Sequence, residues 1–327
     1  MIVSTSRPPA FLITIDTEGD NLWSRPREIT TNNANFLPRF QSLCEHYKFK
    51  PTYLTNYEMA QSESFVEFGR NILHRKTGEI GMHLHAWNSP PLKPLTHDDF
   101  YHQPFLTEYP ELLMREKIIF MTELLENKFD TKIVSHRAGR WSFNNIYASL
   151  LIKQGYYVDC SVTPYISWQS TLGNPKGKGG IDFSHYPDYA YFLDLDDISK
   201  FGQSSLLELP MTIMACHRPR FIQMMSYIPL VGKGIKRFWP NVNWLRPNGR
   251  NLKTMLTIIN QAISEQRPYI EFMLHSSELM PGGSPTFKNK QSIEKLYNDL
   301  EFLFEAIQRS FIGMTLGDYY IRVIHAN

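Results

Sequence analysis

Short apolar runs alternate with longer amphipathic ones along almost the whole chain, and this rhythm constrains the fold more than any other feature. Phe11 to Ile15, following Pro8-Pro9, is β-branched and aromatic, too short for a helix and suited to a buried strand. In NNANFLPRFQSLCEHYKF, the residues Phe36, Leu37, Phe40, Leu43 and Cys44 follow helical spacing, and KPTYLTNY then reads as a second strand. The unit recurs. The helix ESFVEFGRNILHRKTG, closed by Lys76 and Gly78, leads to the strand GEIGMHLHAW, and the amphipathic helix PELLMREKIIFMTELLENKFD leads to TKIVSHRAGR. Further pairs are FNNIYASLLIKQG with YYVDCSV, NLKTMLTIINQAISEQ with PYIEFMLHSSEL, and QSIEKLYNDLEFLFEAIQRS with FIGMTLGD.

Strands and helices in this order predict parallel strands joined by right-handed crossovers, and the number of units suits an α/β barrel better than a small open sheet. Reactive residues then belong at the C-terminal ends of the strands. Two stretches break the rhythm, 164–204 and 217–249, and read as loop excursions on the barrel. No linker composition divides the chain, so a single domain over 1–327 is expected.

Charge excludes some partners. The 34 Lys and Arg balance 32 Asp and Glu, a formal +2, so no general field attracts nucleic acid or an anionic membrane. The cysteines Cys44, Cys160 and Cys216 form no CxxC or zinc pattern and suit a reducing compartment. No run is long and apolar enough to span a bilayer, and the start, MIVSTSRPPAFLITIDTEGD, lacks a basic n-region followed by an apolar h-region. A cytoplasmic protein is expected.

The chemistry-bearing residues stand at strand ends. Asp16 and Glu18, two apart on the first strand, share one face while Thr17 points away, which suits a metal or a general base. Solvated acids at a helix cap would give the same pattern. His83 and His85 share a face in the same way, as ligands of a divalent ion do, and a Glu/His/His set leaves positions open for water and substrate. In SHRAGRW, either Arg137 or Arg140 can pair with Asp16; His275 ends a later strand and can titrate near neutral pH.

TIDTEGD, EIGMHLHAW, HRAGRW, VDCSV and FMLHSSEL together resemble, in order and approximate spacing, the motifs of the polysaccharide deacetylase (NodB-homology, carbohydrate esterase) family. The resemblance runs from Phe11 to beyond His275. It implies a distorted (β/α) barrel, a divalent metal, usually Zn²⁺, and hydrolysis of the N-acetyl group of an amino sugar. By position, Asp16 resembles the family's base, His83 its first histidine ligand and Arg137 the arginine that orients the base. His275 resembles the general acid and Leu274 a wall of the acetyl pocket. Two departures stand out. Thr17 occupies the place of the usual ligand aspartate, with Glu18 as its replacement; Trp87 occupies that of the second histidine, with His85 as its replacement and His97 as the other candidate. Asp159 either orients His275 or caps the following loop.

Trp87, Trp141, Trp168, Tyr186, Tyr189 and Tyr191 fall in or near strand-end loops, where aromatic faces suit sugar rings, although core packing also accounts for them. Trp87 and Trp141 are the candidate substrate contacts. The run FIQMMSYIPLVGKGIKRFWPNVNWLRPNGR, with Lys233, Lys236, Arg237 and Arg246, reads either as a covering helix with a basic edge or as a peripheral contact to a membrane surface or lipid-linked sugar. The leading expectation is a metal-dependent amino-sugar deacetylase of surface-polysaccharide assembly. Its competitors are a metal-independent glycoside hydrolase using Asp16 and Glu18, and an inactive carbohydrate-binding relic.

Overall fold

The computed structural model describes residues 7–215 and 242–326. Its backbone is a curled, mostly parallel sheet with helices on the outside. In chain order the elements are β1 (Ala10–Thr17), α1 (Leu37–His46), β2 (Pro51–Thr55), α2 (Tyr57–Gln61), α3 (Glu63–Arg75), β3 (Glu79–Leu84), α4 (Asp99–His102), α5 (Glu111–Phe129) and β4 (Ser135–Ala138). Then follow α6 (Asn145–Lys153), β5 (Val158–Asp159), β6 (Tyr191–Phe192), β7 (Leu207–Glu208), β8 (Ile213–Ala215), β9 (Val242–Trp244), α7 (Leu252–Ser264), β10 (Tyr269–His275), α8 (Lys290–Ile307), β11 (Ile312–Met314) and α9 (Leu316–Ile324).

The sheet order is β10-β1-β2-β3-β4-β5-β7-β6, parallel throughout except that β6 runs antiparallel to β7. β11 pairs with β1 at Ala10 to Leu12, and β2 pairs with it at Ile13 to Thr17. Parallel pairing of β10 with β1 sets Asp16 opposite His275, and that of β3 with β4 sets His83 opposite Arg137. The sheet is a half-barrel. Between β7 and β10 the curl is bridged by the segment around β8 and β9: the Tyr269 hydroxyl donates to the Pro210 carbonyl at 2.8 Å, and the Glu271 amide to Thr212 Oγ1 at 2.8 Å.

Strand alternation divides two cores. Phe11, Ile13 and Ile15 of β1 and Ile270, Phe272 and Leu274 of β10 pack outward against the helices, where Phe11, Phe272 and Phe304 meet edge to face. Ala10 and Leu12 point inward with Val158, Leu207 and Tyr269, and Leu316 and Tyr319 of α9 pack on the same inner cluster. Above that apolar floor the inward positions turn polar, with Thr14, Asp16, Glu271 and His275. The floor thus places the charged residues at the C-terminal end of the curl.

The expected elements appear with ends shifted by a few residues. β6 and β9 occupy the two stretches read as excursions; strands of two or three residues carry too little period to be legible. Lys233, Lys236 and Arg237 lie outside the described residues, and with them most of the run considered for membrane contact. No helix among the described residues is long and apolar enough to cross a membrane.

Candidate active site

The ends of β1, β3, β4 and β10 bring Asp16, Glu18, His83, His85, Arg137 and His275 together. Glu18 lies one residue past β1 and is fixed through its backbone: its amide donates to Ser276 Oγ at 3.1 Å, the Ser276 hydroxyl donates to the Glu18 carbonyl at 3.2 Å, and Asn33 Nδ2 donates to that carbonyl at 2.9 Å. Glu18, His83 and His85 present one ligand atom each, all within 4.8 Å of one another. His85 Nε2 is 2.9 Å and His83 Nε2 3.7 Å from Glu18 Oε2. His83 Nδ1 meets the Arg137 carbonyl at 3.0 Å, which assigns its proton to Nδ1 and leaves Nε2 free for a cation.

Backbone demands explain the glycine and the strained turn after β4. A Cβ on Gly139 would press into the Leu84 carbonyl and the His85 ring, so the two strand ends approach this closely because of that glycine. Arg140 and Trp141 follow with φ of 55° and 61°, both left-handed, which costs about 1–3 kcal/mol each and turns the two side chains apart. Arg140 accordingly leaves the site and donates to the Gln103 carbonyl and, at 3.0 Å, to the Leu172 carbonyl. Arg137 is the arginine on Asp16, with Nη1 to Oδ1 at 2.6 Å.

Electrostatics separate the roles. Burial by itself would raise the Asp16 carboxyl, but Arg137, then His83 and His275, outweigh it and hold it well below the ordinary range. Glu18 is likewise held down against burial by His275 and His85. Burial pushes His83 down to about 4, so it is neutral, as a ligand must be. The His275 Nε2 faces Asp16 Oδ2 at 3.7 Å and Glu18 Oε1 at 3.6 Å. Burial would lower this imidazole, and the charge of Arg246 acts in the same direction, but Glu18, Glu278 and Asp16 together outweigh both and raise it.

Several expected placements are corrected. Asp159 does not touch His275: it pairs with His136 Nδ1 at 2.5 Å and accepts from the Ser161 amide at 2.9 Å. The partners of His275 are Glu278, whose Oε2 takes the His275 backbone amide at 2.8 Å, and Arg246, whose Nη2 is 2.9 Å from Nδ1. Leu274 is no pocket wall, because alternation turns it outward into the helix-facing core; Met273 lines the inner face instead, in a cluster with Met211 and Ile213 against which Trp141 and Trp244 pack.

His97 stays outside the cluster, its ring against that of His102 at 4.9 Å. Trp87 is 4% exposed and backs His85 and Phe100, so it offers no open face. Trp141 is half-buried between the Arg137 guanidinium and Trp168. Tyr186 packs on Phe183, Tyr189 stacks on Phe201, and Tyr191 is buried with its hydroxyl on the Ile198 carbonyl. Arg246, read from sequence as part of a basic edge or membrane contact, instead reaches His275 and Glu278, and missed from sequence were Glu271, Met273 and Trp23, which lies edge-on to His275 at 4.8 Å. A lone acid within the apolar run PYIEFMLH was the one available signal, for Glu271.

No family model matches the sequence, and no curated protein matches it. Solved structures do. A protein from Mycobacterium smegmatis assigned as a polysaccharide deacetylase aligns over 99% of this chain and 93% of its own, with a TM-score of 0.52 at 14% identity. A protein from Parabacteroides distasonis assigned as a glycoside hydrolase/deacetylase aligns over 98% of this chain and 72% of its own, with a TM-score of 0.61 at 9% identity. The 4-alpha-glucanotransferase of Thermococcus litoralis aligns over 97% of this chain and 40% of its own, with a TM-score of 0.52 at 12% identity. The chain has the (β/α) barrel fold of the polysaccharide deacetylases. A transferase shares that architecture, so the fold alone does not fix the chemistry.

Proposed function

We propose that this protein is a metal-dependent hydrolase that removes the N-acetyl group from an amino sugar of a surface polysaccharide or its precursor. The observation that carries the reading is the convergence, on one polar face of the curl, of a Glu18/His83/His85 set with an arginine-held Asp16 and a carboxylate-facing His275. The donor set fits a divalent cation: two imidazole nitrogens and one carboxylate, with one histidine tautomer fixed by a backbone carbonyl, is what Zn²⁺ takes in open sites. Such a cation supplies Lewis-acid polarisation and lowers the pKa of a water towards about 7.

The protein's own groups do the rest. Asp16, kept ionised and oriented by Arg137, accepts the proton of the water as its oxygen attacks the acetamide carbon. A guanidinium only donates, so Arg246 disfavours a neutral His275 with its proton on Nδ1; the proton stands on Nε2, facing the site. As the acid the ring is the imidazolium, and it gives its Nε2 proton to the sugar nitrogen as the C–N bond breaks, leaving a neutral His275, acetate and a free amine. Met273, Met211 and Trp141 are placed to shield the acetyl methyl from water.

A glycosidase needs one carboxyl raised to serve as acid and one ionised. Asp16 and Glu18 are both held below their ordinary values, which speaks against that assignment. The deciding experiment pairs acetate release from N-acetylated amino sugars with metal analysis of the same preparation. Acetate release that survives removal of all bound metal would refute the reading.

A further inference from the structure

Arg137 is fully buried, and each of its nitrogens has a partner. Nη1 donates to Asp16 Oδ1 at 2.6 Å and Nε to the Cys160 carbonyl at 3.1 Å; Nη2 donates to Thr14 Oγ1 at 2.8 Å and to Glu271 Oε1. One cation thus stands between two buried carboxyl groups. The Thr14 hydroxyl closes the arrangement by donating to Glu271 Oε1 at 2.8 Å. Glu271 Oε2 is buried without a hydrogen-bond partner among the described residues. An ionised carboxylate left half-satisfied in a dry interior is costly, and a second anion on one guanidinium adds to that cost.

We infer that Glu271 is a positioning residue for Asp16: it competes for the Arg137 guanidinium, and its charge state sets how firmly Arg137 holds the base. This rests on the base role proposed above for Asp16. With Glu271 protonated, Arg137 and Asp16 form a neutral pair; with Glu271 ionised, two anions share one cation and the Asp16 carboxylate is held less tightly. The titratable and charged groups facing Glu271 are Arg137 of β4, Asp16 of β1, Cys160 beyond β5, Glu208 of β7 and Tyr269 of β10 itself.

Burial pushes Glu271 up to about 7, against the lowering influence of Arg137 and Thr14. The folded protein therefore binds this proton more tightly than the unfolded chain, whose value is near 4.5. Stability from this group is fully present below about pH 4.5 and is lost as pH rises through about 7.

The test compares wild type, Glu271→Gln and Glu271→Asp by melting temperature across this pH range and by kcat and KM for acetate release. Glu271→Gln, which fixes the uncharged state, is expected to lose the downward slope in melting temperature between about pH 4.5 and 7, to match wild type in kcat below about pH 7 and to fall about tenfold below it above that pH, with KM within about twofold. Glu271→Asp keeps a titrating carboxyl, so it should keep the slope and recover part of that kcat. A Glu271→Gln protein with the wild-type slope, or one with the wild-type kcat above about pH 7, would overturn the inference. If wild type releases no acetate from any N-acetylated amino sugar, the proposed function fails, while the slope comparison still decides the competition for Arg137. Should Glu271→Gln not fold, a Glu271→Asp protein with wild-type kcat and no slope would overturn it equally.

Discussion

Two histidine–carboxylate clusters lie side by side on the same sheet, and they differ in how completely they are satisfied. His136 on β4 has both ring nitrogens engaged, Nδ1 with Asp159 at 2.5 Å and Nε2 with the Tyr147 hydroxyl at 2.8 Å, and all three side chains are fully buried. One position on, Arg137 pairs in register with His83, whose Nε2 faces Glu18 at 3.7 Å, beyond hydrogen-bond reach. His275 likewise faces two carboxylates at 3.6 and 3.7 Å. The first cluster spends its polar capacity on itself; the second keeps it pointed at a shared space. Residue type does not separate scaffold from site here. Residual unmet bonding capacity does.

The largest expected effects break the open cluster. Asp16→Asn should retain the metal and lower kcat by roughly 10²–10⁴, the span usual for a removed general base. His83→Ala should instead lose the metal, and metal content measured beside activity tells the two apart. A fully active Asp16→Asn protein would remove the base from the mechanism. In the closed cluster the outcome reverses: His136→Ala leaves Asp159 buried and partly unpaired, which costs about 3 kcal/mol in denaturant unfolding. Its metal content and its kcat per folded molecule should stay near wild type. Loss of metal in His136→Ala would erase the distinction between the clusters.

Much of this contrast was legible in the sequence because strand period fixes facing. Asp16 with Glu18, and His83 with His85, could be assigned to common faces from spacing alone. The same rule, applied to Leu274, turns it away from His275, and Met273 takes the inner place. What lay beyond reach were pairings set by tertiary register. Nothing local tells that Asp159 stands opposite His136, or that Arg246, distant in sequence from the strand it serves, returns to His275. Glu271 was hidden for a different reason: an acid in an apolar strand reads as a defect until its cation, Arg137 of another strand, is placed beside it.

Arg246 gives a smaller test of the open cluster. Arg246→Ala removes the donor on His275 Nδ1 and leaves Glu278 as the one side chain on that nitrogen among the described residues, so the neutral ring is free to move its proton away from the site. A fall in kcat of about tenfold with little change in KM is expected, since the lost contact acts on proton placement rather than on substrate binding. A raised KM with unchanged kcat would make Arg246 a substrate contact instead.

The smallest effect belongs to Trp23, one of an aromatic pair flanking the site in which the same contrast of closed and open recurs. Trp87 is enclosed against His85 and Phe100, whereas Trp23 sits on a short helical turn between left-handed Asn21 and Arg25, 41% exposed, with its edge towards His275. An aromatic held at a site mouth by a rigid turn can stack on the apolar face of a sugar ring without first losing freedom of its own. Such a contact is worth about 1 kcal/mol, or roughly fivefold in binding. Trp23→Ala should therefore raise KM about fivefold and leave kcat and melting temperature nearly unchanged. Trp87→Ala should do the opposite, lowering stability by about 3 kcal/mol through the cavity it leaves. If both variants changed only stability, Trp23 would belong to the scaffold, and the sugar contact would have to come from the Trp141 side of the site.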